Sequence, residues 1–238
     1  MDKNLAELSS HAQLESHGYA IVPDVLDSAS CKAYADALAL ENAYAAGSRT
    51  LLASAWCQQL AQQLQERLQP RVQKDQPPVI PTHYRAVQCT YFEKSGKRNW
   101  LVSVHQDRSI PVASRIDHPA LQGWSEKEGQ WFVQPPVAVL EPLLALRLHL
   151  DDCGPDDGPL RVIAGSHQSG FIDPARAAQM RQQEPEVACC VARGGVVLMR
   201  PLLLHASSRS SGSSLRRVLH FVFAPPHLPF GLRWPEPS

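Results

Sequence analysis

From residue 79 onward the sequence is a series of short apolar runs separated by turns that contain Gly, Pro or charged residues. Such runs are typical of short β-strands, and a chain with many of them has to pair them into a sandwich or a small barrel. The first two runs, separated by the polar turn EKSGKRN, are expected to pair as an antiparallel hairpin. The runs span residues 79–92, 100–105, 137–150, 160–163, 187–191, 195–200 and 215–224.

Residues 1–75 have a different pattern and are expected to be mainly helical, with one short strand at 19–22. Gly18 is expected to end a first helix, and Ser28 is the expected N-cap of a second. A third helix is predicted by an apolar stripe that recurs every four residues. This stripe consists of Trp56, Leu60, Leu64 and Leu68.

A helical front followed by many strands predicts an α+β chain, and 238 residues suffice for a sizeable core. We expect one domain over 1–238, with 1–75 as helical support and 79–224 as the β core. Residues 108–136 are long for a connection and carry aromatic side chains. They are interpreted either as an active-site lid or as a surface insertion.

Composition excludes several partners. The formal net charge is zero, which argues against nucleic acid or an acidic membrane surface, because both attract a positive excess. No apolar run reaches the roughly 18 residues that a membrane span needs, and the N-terminus lacks a signal-peptide core. The six cysteines form no C-x-x-C pair, so we expect reduced thiols and a cytoplasmic location.

The stretch SVHQDRSIP places His105 and Asp107 two residues apart at the end of an apolar run. Residues i and i+2 of a strand point the same way, so a metal ion would explain the pair, and so would a surface strand. The best third ligand is His205, which ends the apolar run VVLMRPLLLH. Two histidines and one carboxylate match the facial triad of non-haem iron(II) oxygenases.

The chain resembles the phytanoyl-CoA dioxygenase-like branch of the iron(II)/2-oxoglutarate-dependent oxygenases. The resemblance runs from HGYAIVPDVLDSASCKAYADAL through HQD, LDDCGPDDGPLRVIAGSH and LLLHAS to LRRVLHFVFA. It implies a double-stranded β-helix, a cupin-like jelly roll, with flanking N-terminal helices. It also implies that His105, Asp107 and His205 bind iron(II), and that Arg216, assisted by Ser207, binds the far carboxylate of 2-oxoglutarate.

The resemblance further implies the reaction. O2 and 2-oxoglutarate are consumed, an unactivated C–H bond of a small molecule is hydroxylated, and succinate and carbon dioxide are released. Ascorbate is the expected reductant in vitro. Related halogenases carry a small residue in place of the carboxylate, so Asp107 favours hydroxylation.

Strand alternation independently supports Arg216. In LRRVLHFVF it shares a polar face with His220, whereas Arg217 lies on the opposite, apolar face. A guanidinium inside a barrel needs a carboxylate partner, and its planar fork suits one. Arg216 is therefore the expected cosubstrate anchor, Arg217 is expected near the rim, and His220 is expected in or beside the cavity.

In LALRLHLDD the same alternation puts Arg147 and His149 on one face, opposite the leucines. If the leucines pack on helices, these two side chains line the cavity, and Arg147 can hold an anionic group of the substrate. An ion pair of Arg147 with Asp151 or Asp152 is an equally good interpretation. The remaining candidates are Gln88 and Asn99 for the cosubstrate, and Arg108 and Trp124 for the substrate.

Two other functions remain open at the level of sequence. One is a non-catalytic, cupin-like protein that binds a metal or a small molecule. The other is a zinc-dependent hydrolase, although no general base accompanies the triad and Arg216 would be unexplained. His167, in the GSH turn, is expected to fix that turn, and the acidic turn DDCGPDDG lacks the ligand spacing of a calcium loop.

Overall fold

The structure is a computed structural model and describes residues 9–40, 48–69 and 78–236. Its helices are α1 Ser10–His17, α2 Ser28–Leu40, α3 Ala55–Arg67, α4 Val137–Leu140 and α5 Pro174–Gln183. Its strands are β1 Tyr19–Val22, β2 Arg85–Lys94, β3 Val102–His105, β4 Ile110–Val112, β5 Gln122–Lys127, β6 Gln130–Gln134, β7 Leu144–His149, β8 Leu160–Val162, β9 Val187–Cys189, β10 Val196–Met199, β11 His205–Ser207 and β12 Arg216–Ala224. None of the described helices is long and apolar enough to cross a bilayer.

The strands form three antiparallel sheets. The large sheet has the order β1-β10-β7-β12-β2, and the small sheet has the order β3-β11-β8-β9. A third sheet has the order β4-β6-β5. Helices flank these sheets, so the predicted α+β class is confirmed.

The main apolar core lies between the large sheet and the N-terminal helices. The predicted stripe on α3 buries Leu60 and Leu64 completely, and they join a cluster with Leu146, Leu148 and Phe221. Burial of each such side chain contributes about 1.5–3 kcal/mol. One face of β7 and β12 is therefore fixed against helices, which leaves their other face for a cavity.

The first helices begin and end close to the predicted residues. Gly18 ends α1 in the left-handed conformation with φ of 79°, which an L side chain rarely adopts. Helix α2 begins at Ser28, but its cap is Asp27, whose Oδ1 accepts from the amide of Ser30 at 2.7 Å. The Ser28 cap was therefore wrong by one residue.

The predicted hairpin between the first two apolar runs was wrong. Strand β2 pairs with β12 in the large sheet, whereas β3 pairs with β11 in the small sheet. Only a bridge between Ser95 and Arg98 closes the turn between them. Alternation identifies a strand and its faces, but long-range pairing selects its partner, so the chain crosses here from one sheet to the other.

Residues 108–136 form the three-stranded sheet instead of an irregular loop. Val112, Phe132 and Val133 of this sheet are each at most 2% exposed, and Phe132 lines the cavity described below. Helix α5 was not predicted either. Its start signals are an Asp173 side chain that accepts from the amide of Arg176 and a proline in the first turn.

Candidate active site

Three side chains converge between the end of β3 and the start of β11. His105 and His205 are direct partners in the antiparallel register, and their ring centroids lie 4.2 Å apart. The Nε2 atom of each histidine lies 3.7 Å from a different carboxylate oxygen of Asp107. The potential ligand atoms all lie within 4.8 Å of one another, as a single metal ion requires.

The hydrogen bonds of the two imidazoles fit metal binding. Nδ1 of His105 donates to the Ser103 carbonyl at 2.8 Å, and Nδ1 of His205 donates to the Leu203 carbonyl at 2.9 Å. Because a carbonyl only accepts, the proton is on Nδ1 in both rings, and Nε2 keeps its lone pair towards Asp107. Two nitrogens and one carboxylate suit iron(II) and leave further coordination positions free.

Gln106, the middle residue of the H-x-D stretch, points away from the triad and fixes its backbone. Its Nε2 donates to the carbonyls of Gly170 and Leu202 at 2.8 and 2.7 Å, and its Oε1 accepts from the amide of Ile172 at 2.9 Å. This clamp ties the end of β3 to the segment before β11. Sequence analysis missed it, although alternation already places the middle residue on the opposite face.

Charge in the site favours the ligand forms. Burial alone would raise the pKa of Asp107, but the surrounding His205, His220, His105 and Arg147 lower it overall. Burial lowers the pKa of His205 to about 4, against the opposing effect of Asp107. At neutral pH the carboxylate is ionised and His205 is neutral, which are the forms that bind a metal.

The triad opens into a cavity of about 410 Å³. Among the described residues that line it, six side chains are cationic and only Asp107 is acidic. Three of the cations, Lys94, Arg147 and Arg216, are buried, and buried cations that outnumber the carboxylates indicate a site for anions. The six cations are Arg49, Lys94, Arg108, Lys127, Arg147 and Arg216.

Arg216 and Arg217 confirm the alternation along β12. Arg216 is 3% exposed and lines the cavity; it donates to the Gly158 carbonyl, and its Nε has no hydrogen-bond partner. Arg217 lies on the other face and binds Asp151 through two nitrogens, each at 2.8 Å. The neighbouring guanidinium of Arg216 therefore remains without a carboxylate.

Ser207 also lies on the cavity wall. Its hydroxyl donates to the Gly158 carbonyl at 2.9 Å and accepts from Lys94 Nζ at 2.6 Å. The sequence analysis had placed Lys94 in the polar turn EKSGKRN, but β2 continues to this residue, which is 1% exposed. The missed signal was strand alternation, because Lys94 continues the series of cavity-lining residues Gln88, Thr90 and Phe92.

Arg147 projects into the cavity from β7 opposite His220 of β12. It donates to His220 Nδ1 at 3.0 Å and lies 5.2 Å from the ring centroid of Phe92, while its Nε has no partner. The alternative of an ion pair with Asp151 or Asp152 was wrong, because Asp151 binds Arg217 and Asp152 accepts from the Arg193 amide. Burial, reinforced by Arg147, lowers the pKa of His220 to about 3, so its ring is neutral.

Two other candidates also lie on the cavity wall. Gln88 donates to the Thr90 hydroxyl at 2.8 Å, and the Arg108 guanidinium lies 3.7 Å from the ring centroid of Phe171. Lys127 lies 5.0 Å from the ring centroid of Phe132 and adds a cation from the small β5–β6 hairpin.

Three candidates lie elsewhere. The Asn99 side chain makes two hydrogen bonds to the backbone of Ser210, both at 2.7 Å, and does not line the cavity. Trp124 packs edge-on against Trp131, outside the lining. His149 is 1% exposed and does not line the cavity. Burial and the charges of Arg147 and Arg216 lower its pKa to about 3. Alternation predicted the face of His149, but not that it lies beyond the end of the cavity.

An antiparallel β fold with a two-histidine, one-carboxylate site and a cationic cavity defines the class of non-haem iron oxygenases. The family model described as "Phytanoyl-CoA dioxygenase (PhyH)" matches residues 14–218. The chain belongs to this family, and it is a 2-oxoglutarate-dependent non-haem iron enzyme with iron and 2-oxoglutarate as cofactor and cosubstrate. The comparison with curated proteins gives no match.

Solved structures share the fold. AviO1 from Streptomyces viridochromogenes Tue57 is 21% identical, with a TM-score of 0.61 over 92% of this chain and 95% of that chain. HygX from Streptomyces hygroscopicus, with nickel and 2-oxoglutarate bound, is 17% identical, with a TM-score of 0.61 over 94% and 87%. EctD from S. alaskensis, with bound Fe, is 18% identical, with a TM-score of 0.62 over 94% and 76%. The predicted jelly roll with flanking helices is confirmed.

Proposed function

We propose that this protein hydroxylates an unactivated C–H bond of a small anionic molecule and releases succinate and carbon dioxide. The observation that carries the proposal is a cavity lined by the triad of His105, Asp107 and His205 and by the Arg216 guanidinium, which forms no ion pair with any of the described carboxylates. Bound iron(II), with O2 and 2-oxoglutarate, supplies the oxidising chemistry. The protein positions the reactants and excludes water.

Each group of residues that lines the cavity has a separate role in this proposal. His105 and His205 provide neutral Nε2 donors, and Asp107 provides the third ligand. Because Asp107 occupies the position that related halogenases leave to a halide, the site favours hydroxylation. Arg216 holds the far carboxylate of 2-oxoglutarate through charge-assisted hydrogen bonds.

The charge of the cavity supports an anionic prime substrate. Arg49 pairs with Glu128 at 3.6 Å, so five of the six cations face one carboxylate, and the two charges of iron(II) are balanced by those of the 2-oxoglutarate dianion. A positive excess therefore remains for a carboxylate or phosphate group of the prime substrate. Arg147 and Arg108 are the proposed contacts, because both line the cavity and neither has a carboxylate partner among the described ion pairs.

The remaining proposals concern the chain as a whole. We propose a single oxygenase domain in which residues 108–136 cover the bound substrate, supported by the contribution of Lys127, Phe132 and Gln134 to the cavity wall. A cytoplasmic location is proposed because all six cysteines are free thiols, as is usual in a reducing compartment.

The test is substrate-dependent turnover. Purified protein is loaded anaerobically with iron(II) and given 2-oxoglutarate, O2, ascorbate and a panel of small carboxylates and phosphates. We expect succinate in equal amount to a product that is heavier by one oxygen atom. Binding of iron and 2-oxoglutarate without succinate from any panel member would favour a binding protein. Substrate cleavage with zinc alone would favour a hydrolase.

A further inference from the structure

His220 lies beside the triad, and the proposed function gives it no role. It is 5% exposed, it lines the cavity from β12, and its register partner on β7 is Arg147. Its Nε2 atom lies 3.9 Å from Asp107 Oδ2, the carboxylate oxygen that also faces His205. A buried imidazole this close to a metal ligand either binds the metal, positions the ligand or only fills space.

The hydrogen bond from Arg147 decides which nitrogen of His220 carries the proton. Arg147 donates to His220 Nδ1 at 3.0 Å. A guanidinium has only N–H donors, so Nδ1 supplies the lone pair and the proton of the neutral ring is on Nε2. Nε2 is the nitrogen that faces Asp107. His220 therefore turns an N–H towards the carboxylate, and this nitrogen has no lone pair with which to bind the metal.

The other two imidazoles that face Asp107 have the opposite tautomer. His105 and His205 carry the proton on Nδ1, which donates to a backbone carbonyl, and each turns an unprotonated Nε2 to the carboxylate. Of these three imidazoles, only that of His220 has a proton to give to Asp107. In the part of the chain that the structure describes, the carboxylate accepts no hydrogen bond, so His220 offers the donor that it lacks.

We infer that His220 is a positioning residue for Asp107: its Nε2–H donates to Oδ2 in the metal-bound protein, and Arg147 holds the ring in the tautomer that can do so. This inference deepens the proposed function and rests on it. Carboxylates that bind a metal are themselves hydrogen-bonded, which fixes their orientation. A bond of about 2.9 Å requires the carboxylate to move roughly 1 Å towards His220, and no other hydrogen bond opposes that movement.

The surroundings of His220 make it a fixed donor. Strand β12 lies between β7 and β2, and the register partners of His220 are Arg147 on one side and Thr90 on the other. The ring of Phe92 lies edge-on, with the two ring centroids 5.9 Å apart. Rotation of the imidazole by half a turn would break the bond from Arg147. The ring orientation is therefore set by the large sheet before any metal is bound.

The tautomer is measured directly on the zinc-loaded protein, which is diamagnetic. Long-range proton–nitrogen NMR spectra of isotope-labelled protein separate protonated from unprotonated ring nitrogens, and His220→Gln identifies the signals of His220. We expect the proton on Nε2 in His220 and on Nδ1 in His105 and His205. A proton on Nδ1 of His220, or a bond from its Nε2 to zinc, would overturn the inference.

Metal affinity tests what this N–H does. Nickel binding is measured by calorimetry in the absence of cosubstrate. His220→Leu removes the donor, and we expect it to weaken nickel binding about 10- to 100-fold. His220→Gln places an amide N–H close to the position of Nε2 and should restore most of the affinity. His220→Asn carries the same amide on a side chain too short to reach Asp107, so it should bind nickel as weakly as His220→Leu.

His149→Leu is the matched control. His149 is another buried histidine of the large sheet, but it does not line the cavity, and neither of its ring nitrogens has a hydrogen-bond partner among the described residues. We expect its replacement to leave nickel affinity unchanged. Melting temperature shows whether each variant is folded. If His220→Leu is not, the wild-type tautomer and the comparison of His220→Gln with His220→Asn still provide the test.

Failure of this inference can be distinguished from failure of the proposed function. Wild-type protein that binds neither nickel nor iron(II) would contradict the proposed function itself. Wild type that binds nickel, with a His220→Leu variant of equal affinity, would overturn only the role of His220. Equal weakening by His220→Leu, His220→Gln and His149→Leu would also overturn that role, since it would show general damage to the large sheet.

Discussion

The large sheet and the small sheet face the same cavity and equip it differently. The small sheet supplies His105 and His205 at strand ends, where the backbone can turn and bring Asp107 to the same point. The large sheet supplies three of the six cations, Lys94, Arg147 and Arg216. The metal ligands thus lie at strand ends of the small sheet, whereas the buried cations lie on the large sheet, Arg147 within β7 and Arg216 at the start of β12.

The two sheets also differ in what packs against the face that points away from the cavity. Behind the large sheet lies the apolar core formed with the N-terminal helices, including Leu60, Leu146 and Phe221. This rigid support holds charged side chains in dry positions that would otherwise destabilise a strand. The small sheet is backed in part by helix α5, and its ligands rely on hydrogen bonds such as those of Gln106.

The largest effect on activity is expected from the metal ligands that the end of the small sheet positions. Asp107→Ala removes the carboxylate that faces both histidines, so we expect iron affinity to fall at least about 100-fold and hydroxylation to be abolished. Iron binding and succinate release are the measurements, and Asp117→Ala, at an exposed carboxylate, is the control. Full turnover by Asp107→Ala would refute its role as a ligand.

The next prediction compares substitutions of two neighbouring arginines of the large sheet, Arg216 and Arg217. Arg216→Met should raise the KM for 2-oxoglutarate about 100-fold without loss of stability, because it removes a buried cation that has no carboxylate partner. Arg217→Met should leave that KM unchanged and lower the free energy of unfolding by about 1.5 kcal/mol, because Asp151 loses both of its hydrogen bonds from the guanidinium. Urea unfolding and steady-state kinetics measure both. A reversed pattern would contradict the assignment of strand faces.

A smaller effect is expected for Gln106, whose side-chain hydrogen bonds hold the backbone next to the triad. Gln106→Leu leaves two carbonyls and one amide without their partner, and we expect the free energy of unfolding to fall by about 2 kcal/mol, with weaker iron binding. Gln168→Leu is the control, because the exposed Gln168 side chain also donates to a backbone carbonyl, that of Glu15 in α1. It should change the free energy of unfolding by less than about 0.5 kcal/mol. If both variants unfold alike, Gln106 does not hold the triad in place.

Alternation within single strands made much of the site predictable from the sequence. The faces of β12 and β7 follow directly from period two, which is why Arg216 and Arg147 were placed correctly in the cavity. Alternation cannot choose between distant strands, so β2 and β3 were paired wrongly. Lys94 was missed because a lysine beside Ser and Gly resembles a solvated turn until its strand partner is known.

The carbonyl of Gly158 accepts from both Arg216 and Ser207. With φ of 62°, a Cβ at this position would lie 2.5 Å from the Ser208 carbonyl and 2.9 Å from Lys94 Nζ. The acidic turn DDCGPDDG resembles an ordinary surface turn, yet the carbonyl of its last residue accepts hydrogen bonds from two side chains that line the cavity. Replacement of this glycine is therefore expected to crowd the Lys94 ammonium and the Ser208 carbonyl, whereas substitutions at the exposed Asp152 and Asp156 are expected to have little effect on the cavity.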